Sequence, residues 1–286
     1  MWAALVAVAA NGFAAEVLRV IFDTDMYTDY DDVGALAILH TLADVGECEI
    51  IAVGSNTWGE GNKSVATCEI INTYYGRPDI PVGCARSGGR QGPGDAGYGL
   101  PEKYAHFVRH AFTNWPADVP ITFVDFPIGR HCYAGRAVAE LPDTANPVRD
   151  AFRFKMTPRH KVEPGKSRDQ LAGHPSWDEI AALVAVLGVT PLFTLQRGFH
   201  RMVGTDGTNA WTDDPQSPHG RVTFKAPPEA VGRALDELMC RPPTQRRELW
   251  YNMPPKNERA PLPCENIPLH SAALHPSPSA PSSPGF

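Results

Sequence analysis

The sequence predicts an α/β protein: a mainly parallel open sheet with helices on both faces. Three observations lead there. Strand-like and helix-like segments alternate along the chain, as in βα units. The apolar run Val17 to Phe22 has the composition of a strand buried within a parallel sheet. Between that strand and the helix-like run from Val33 to Leu42 stand five carboxylates, Asp23, Asp25, Asp29, Asp31 and Asp32. They lie at the C-terminal edge of the sheet, where open α/β folds bind ligands.

The elements follow in order. Met1 to Ala10 is almost wholly apolar, and Gly12-Phe13-Ala14 supplies small residues of the kind a signal peptidase reads, although a basic leader is missing. Residues 1–15 are therefore either a signal peptide, giving a secreted or extracytoplasmic protein, or a first strand of a protein that stays in the cytoplasm. The stretch is too short to span a bilayer, and no other segment is long and apolar enough. Strands are expected over Val17 to Asp23, Glu49 to Ser55, Ile80 to Cys84, Ile121 to Asp125 and Leu192 to Leu195. Helices are expected over Asp32 to Ala43, Ser64 to Tyr75, Glu102 to Phe112, Ala134 to Leu141, Val148 to Met156, Trp177 to Leu187 and Pro228 to Cys240. Gly76 closes the second helix in the left-handed conformation that ends many helices. Phe199 to Phe224 reads as turns and short antiparallel strands, with Asp206-Gly207 as its turn signal. One domain over 16–253 is expected, followed by a disordered Pro- and Ser-rich tail over 254–286.

Composition sets limits on function. A chain of 286 residues, 43% hydrophobic, can bury one large α/β core. The net charge of -6 excludes nucleic-acid binding through a broad basic face. The cysteines Cys48, Cys68, Cys84, Cys132, Cys240 and Cys264 are widely spaced and form no C-x-x-C pair, so they read as small buried hydrophobes rather than a zinc or redox site. The stretch from Ser87 to Gly94 is Gly-rich, but no Lys-Ser or Lys-Thr follows, so it is a flexible loop and not a phosphate loop. Arg86, just before it, and Arg90, within it, read as solvated surface charge, with contact to substrate as the alternative.

Five acids in ten residues repel one another unless a cation lies among them. Helix capping accounts for one or two of them, Asp31 or Asp32, but not for all. An EF-hand loop started at Asp23 fails, because Tyr27, Thr28 and Gly34 fall at its fifth, sixth and twelfth positions. A strand followed by Asp23-Thr24-Asp25 also suits a magnesium phosphatase of the haloacid-dehalogenase type, with Asp23 as nucleophile, but Tyr27 stands where that family has Thr or Val.

The runs Ile21-Phe22-Asp23-Thr24-Asp25-Met26 and Asp31-Asp32-Val33-Gly34-Ala35-Leu36 resemble the N-terminal signature of the nucleoside hydrolases, the inosine-uridine-preferring type and its bacterial relatives. Two extra residues stand before the Asp pair, as in a divergent branch. The resemblance continues at Ile51 to Asn56, through Ile71 to Gly83, and near Asn146 to Ala151, Pro175 to Asp178 and Gly204 to Trp211. It implies a Rossmann-like fold and calcium-dependent hydrolysis of the N-glycosidic bond of a small-molecule nucleoside, releasing base and ribose. It further implies that Asp25 activates the water and touches the calcium, that Asp31 and Asp32 give further calcium and ribose contacts, and that Asp178 completes the metal shell and holds a ribose hydroxyl. Asn56 matches a sugar-binding Asn. Family members are often homo-oligomers.

The resemblance covers residues 17–112 and 114–250, and the family's central section has no counterpart between them. With it go strands, a carbonyl ligand for calcium and ribose-gripping residues. A non-catalytic remnant that binds calcium and ribose is the alternative this gap leaves open. Trp177 stands where purine-acting members carry a His, either stacking on a base or packing in the core, and His174 lies three residues before it.

Overall fold

The computed structural model describes residues 6–9, 17–26, 30–56, 63–84, 109–116, 118–142, 145–155, 173–189, 191–202 and 209–244. All of them lie within one compact unit, Met1–Tyr251.

The first sheet contains β1 (Val6–Ala9), β2 (Leu18–Thr24), β3 (Cys48–Ser55) and β4 (Val82–Cys84), in that spatial order. Parallel pairing joins β2 to β3, with Thr24 opposite Ser55, and β3 to β4, with Val53 opposite Val82. β1 adds an antiparallel edge, Val6 opposite Phe22, so a strand occupies part of the apolar N-terminal run. Alternation along β2 buries Val20, Phe22 and Thr24 and leaves Arg19, Ile21 and Asp23 exposed.

A second, mixed sheet is ordered β5 (Thr122–Phe123), β10 (Gly220–Phe224), β8 (Phe193–Met202) and β9 (Asn209–Asp213). Its three long strands are antiparallel, as the region after Phe199 predicts, and β5 runs parallel to β10. β6 (Tyr133–Ala134) and β7 (His174–Pro175) form a small antiparallel pair.

The helices are α1 (Asp31–Asp44), α2 (Lys63–Tyr74), α3 (Phe126–His131), α4 (Arg136–Ala139), α5 (Pro147–Lys155), α6 (Asp178–Leu187) and α7 (Pro228–Met239). The expected α/β class is found. α1 is buried from Asp31 to Leu42, and a helix apolar on every side belongs in the middle of a core. It packs along α6, and α2 and α7 flank it. Between α1 and α2, His40 bonds Asn72 Oδ1 at 2.8 Å and stacks flat on Tyr75, with ring centroids 4.7 Å apart. α2 closes at Gly76, whose φ of +75° is the left-handed conformation the sequence predicts. Arg77 then pairs with Asp44 at 2.6 Å, tying the end of α2 to that of α1. Asn146 Oδ1 accepts from the amides of Val148 and Arg149 and so caps α5.

Three expectations shift. The strand expected to end at Leu195 runs on to Met202, because β9 and β10 pair with it on either side. The helix expected from Ala134 is interrupted at its start: Ala134 belongs to β6, Gly135 takes a φ of +92°, and only Arg136–Ala139 is helical. The strand expected to reach Asp125 stops at Phe123, and α3 begins at Phe126 with Pro127 in its first turn, where a proline costs no hydrogen bond. Residues 109–114 are helical, while the start of the expected helix from Glu102, the Asp206-Gly207 turn and the tail lie outside the described residues. Among the described residues no helix is long and apolar enough to cross a membrane.

Candidate metal centre

The parallel strands β2 and β3 end side by side, where the Asn56 amide donates to Thr24 O at 2.9 Å. Asp25 and the exposed Asn56 therefore stand at the same sheet edge. The chain returns to that edge at α1, whose first two residues, Asp31 and Asp32, are both buried. α6 brings Asp178, also buried, as its first residue. Both helices thus direct their N-termini, with their partial positive charge, at carboxylates.

Oxygens of Asp25, Asp32 and Asp178 all lie within 4.8 Å of one another. A hard cation with contacts of about 2.3–2.6 Å spans oxygens up to about 5 Å apart, and an all-carboxylate donor set suits it. The residues fit such an ion. Electrostatics points the same way: burial, and after it the charges of Asp31, Asp32 and Asp25, push the Asp178 carboxyl well above the ordinary carboxylate range. A cation among these acids would relieve that penalty.

Asp32 is oriented by Thr24, whose hydroxyl donates to Asp32 Oδ1 and accepts from the Met26 amide at 3.1 Å. Asp31 lies close by, and its charge is the largest of those acting on Asp178. Asp31 Oδ2 accepts from the amides of Trp177 and Asp178, at 3.3 and 3.4 Å. Asp23 lies on the exposed face of β2, opposite Gly54, and is not one of the three converging acids. Burial, then the neighbouring charge of Asp25, raises its carboxyl. Asp29 lies outside the described residues.

Trp177 is 8% exposed. Its Nε1 donates to Phe126 O at 2.9 Å, and its ring stacks on Phe126 with centroids 5.3 Å apart. Gly129 lies against the same ring, and a Cβ there would sit 2.1 Å from Trp177 Cδ1. The indole is committed to packing, so of the two readings open for Trp177 the structure carries the core one. His174 is buried, with Nδ1 2.7 Å from Pro175 O and its ring edge-on to Tyr30 at 6.3 Å.

Two residues of the site were not singled out by sequence. Thr24 is the middle residue of Asp23-Thr24-Asp25, and strand alternation could have marked it as pointing inward with the core residues. Glu179 follows Asp178 and is fully buried, and neither of its carboxyl oxygens has a hydrogen-bond partner. Burial, followed by the Asp31 charge, pushes its carboxyl well above the ordinary range. Acids in the first turn of a helix usually face solvent, so no local signal marks this one.

No protein-family model matches the chain. No curated protein matches it either. Among solved structures, a plant nucleoside hydrolase, described as the PpNRh1 enzyme, is similar over 78% of this chain and 99% of that chain, at 13% identity and a TM-score of 0.45. That likeness is too slight to assign an activity, which has to come from the residues themselves.

Proposed function

We propose that this protein hydrolyses the N-glycosidic bond of ribonucleosides in a calcium-dependent reaction. The observation that carries the reading is the convergence of Asp25, Asp32 and Asp178, three acids that the sequence resemblance singles out, into one oxygen-only cluster at the C-terminal edge of a parallel sheet.

Cleavage of the bond builds positive charge on the ribose ring, and carboxylates beside the ring stabilise that charge. Asp25, half-buried at the end of β2, takes the proton from the attacking water. Asp32, fixed by Thr24, and Asp178, fixed by the start of α6, would hold the calcium together with Asp25. When bound, the ion orients the water and lowers its pKa. Asn56 and Asp178 accept or donate to the ribose hydroxyls and fix the ring between them.

The test is a panel of inosine, uridine and a phosphate ester, each run with calcium, with magnesium and with chelator. Ribose should appear with calcium and inosine or uridine and stop on chelation, and Asp25→Asn should cut turnover by about 10²–10⁴-fold while leaving the fold intact. Calorimetry that finds no calcium binding to the folded protein overturns the reading. Calcium binding without release of ribose would make the protein a non-catalytic binder. Magnesium-dependent phosphate release that Asp23→Asn abolishes would make it a phosphatase.

A further inference from the structure

We propose that Asp31 is a positioning residue that caps α6 from the neighbouring helix, rather than a ligand of the cation. Helix N-termini leave amides without intrahelical partners, and a side-chain oxygen just before the helix usually takes them. α6 has no such local cap. Trp177, at the N-cap position, offers no side-chain acceptor, and the hydroxyl of Ser176 is turned back to His174 O at 3.2 Å. The acceptor comes instead from the start of α1, where Asp31 Oδ2 receives both the Trp177 and the Asp178 amide. Sequence proximity gives no hint of it, since the two ends of these bonds are 146 and 147 residues apart.

The placement of this cap gives it a function beyond holding a helix end. Asp31 is covalently next to Asp32, and its carboxylate holds the backbone of Asp178. One side chain therefore fixes the spacing between two of the three clustered acids. Trp177 secures the same junction from the other side, through its indole bond to Phe126 O. Removing the acceptor should free the start of α6 and spread the cluster, although none of the three converging acids has been changed. This role rests on the metal reading only for its effect on affinity; the cap itself is independent of it.

Asparagine is the discriminating substitution, because its side-chain oxygen can accept the same two amides but is a far poorer calcium ligand than a carboxylate. The experiment compares wild type, Asp31→Asn, Asp31→Ala and Asp25→Asn. Calcium affinity is read by calorimetry, and amide hydrogen exchange is followed in the metal-free protein over a peptide spanning 175–180. Asp31→Asn should keep both the protection and, to within about threefold, the affinity. Asp31→Ala should lose the protection and bind calcium about 10–100-fold more weakly, the usual range for groups that orient a ligand. Asp25→Asn should lose affinity with protection unchanged. If Asp31→Asn loses affinity as far as Asp25→Asn while its amides stay protected, Asp31 is a ligand and the proposal is wrong. It is equally wrong if Asp31→Ala leaves the exchange unchanged. Should Asp31→Ala fail to fold, the contrast between Asp31→Asn and Asp25→Asn decides. Absence of calcium binding in the wild type would sink the metal reading, and the exchange data would still decide the cap.

Discussion

His40 and Asp178 are both buried ionisable side chains, and burial pushes their pKa values in opposite directions. For His40 the charged form is disfavoured, and its pKa falls from 6.5 to about 3, with burial as the largest cause. A depressed base binds fewer protons folded than unfolded, so its contribution to stability is complete above pH 6.5 and is lost as pH falls toward 3. The whole effect is roughly 5 kcal/mol, at about 1.4 kcal/mol per pKa unit. The expected signature is a His40 imidazole resonance that stays in its neutral position from pH 8 down to about 4 in the folded protein; titration near 6.5 would contradict it. Asp178 has a raised carboxyl, so its own contribution is present below the ordinary carboxylate pKa and is lost as pH rises through the folded value. Asp25 and Asp32 were legible in the sequence as candidates, because Asp23-Thr24-Asp25 and Asp31-Asp32 lie next to a strand and a helix that are easy to read, whereas Asp178 was marked only by the resemblance. Their individual contacts were not legible. Asp31 and Asp32 are equivalent on paper, and in the fold Asp31 accepts from the amides at the start of α6 while Asp32 lies among the three converging oxygens.

The start of α6 depends on the short helix α3. Trp177 is clamped between Phe126 and Gly129, two residues of α3, and Asp178 follows directly. Gly129→Ala would put a methyl group 2.1 Å from the indole Cδ1, so the ring must move, and the first turn of α6 with it. The expected cost is about 1–3 kcal/mol in urea unfolding, typical of an overpacked core, together with a clear weakening of calcium binding by calorimetry. Unchanged affinity would show that α6 is placed without α3. The long elements were readable from the sequence: α1 was expected over Asp32 to Ala43 and spans Asp31–Asp44, and α7 was expected over Pro228 to Cys240 and spans Pro228–Met239. Their strong apolar patterns and the proline at the start of α7 account for that. α3, β6 and β7 were not readable. Each is too short for periodicity to register, and each is held by residues distant in sequence, as Phe126 is by Trp177 and Tyr133 by Pro175.

At the scale of the molecule, two four-stranded sheets, the β6–β7 pair and the helices bring the beginning and the later part of the chain together at one point. An ion that binds only the folded form stabilises it by mass action, about 2.7 kcal/mol at a hundredfold excess over Kd. For a domain of this size that corresponds to a rise in melting temperature of about 5–10 °C. Differential scanning calorimetry with and without calcium checks this, and an unshifted transition would mean that the cluster holds no ion. Asp25, directly after β2, and Asp178, the first residue of α6, are far apart along the chain. A shared dication would therefore work as a removable cross-link across a large loop, comparable to a disulfide in the chain entropy it takes from the unfolded state. Unlike a disulfide, this link is undone by a chelator or by acid rather than by a reductant. How long the fold survives would then follow the calcium content of its surroundings, whether or not substrate is present.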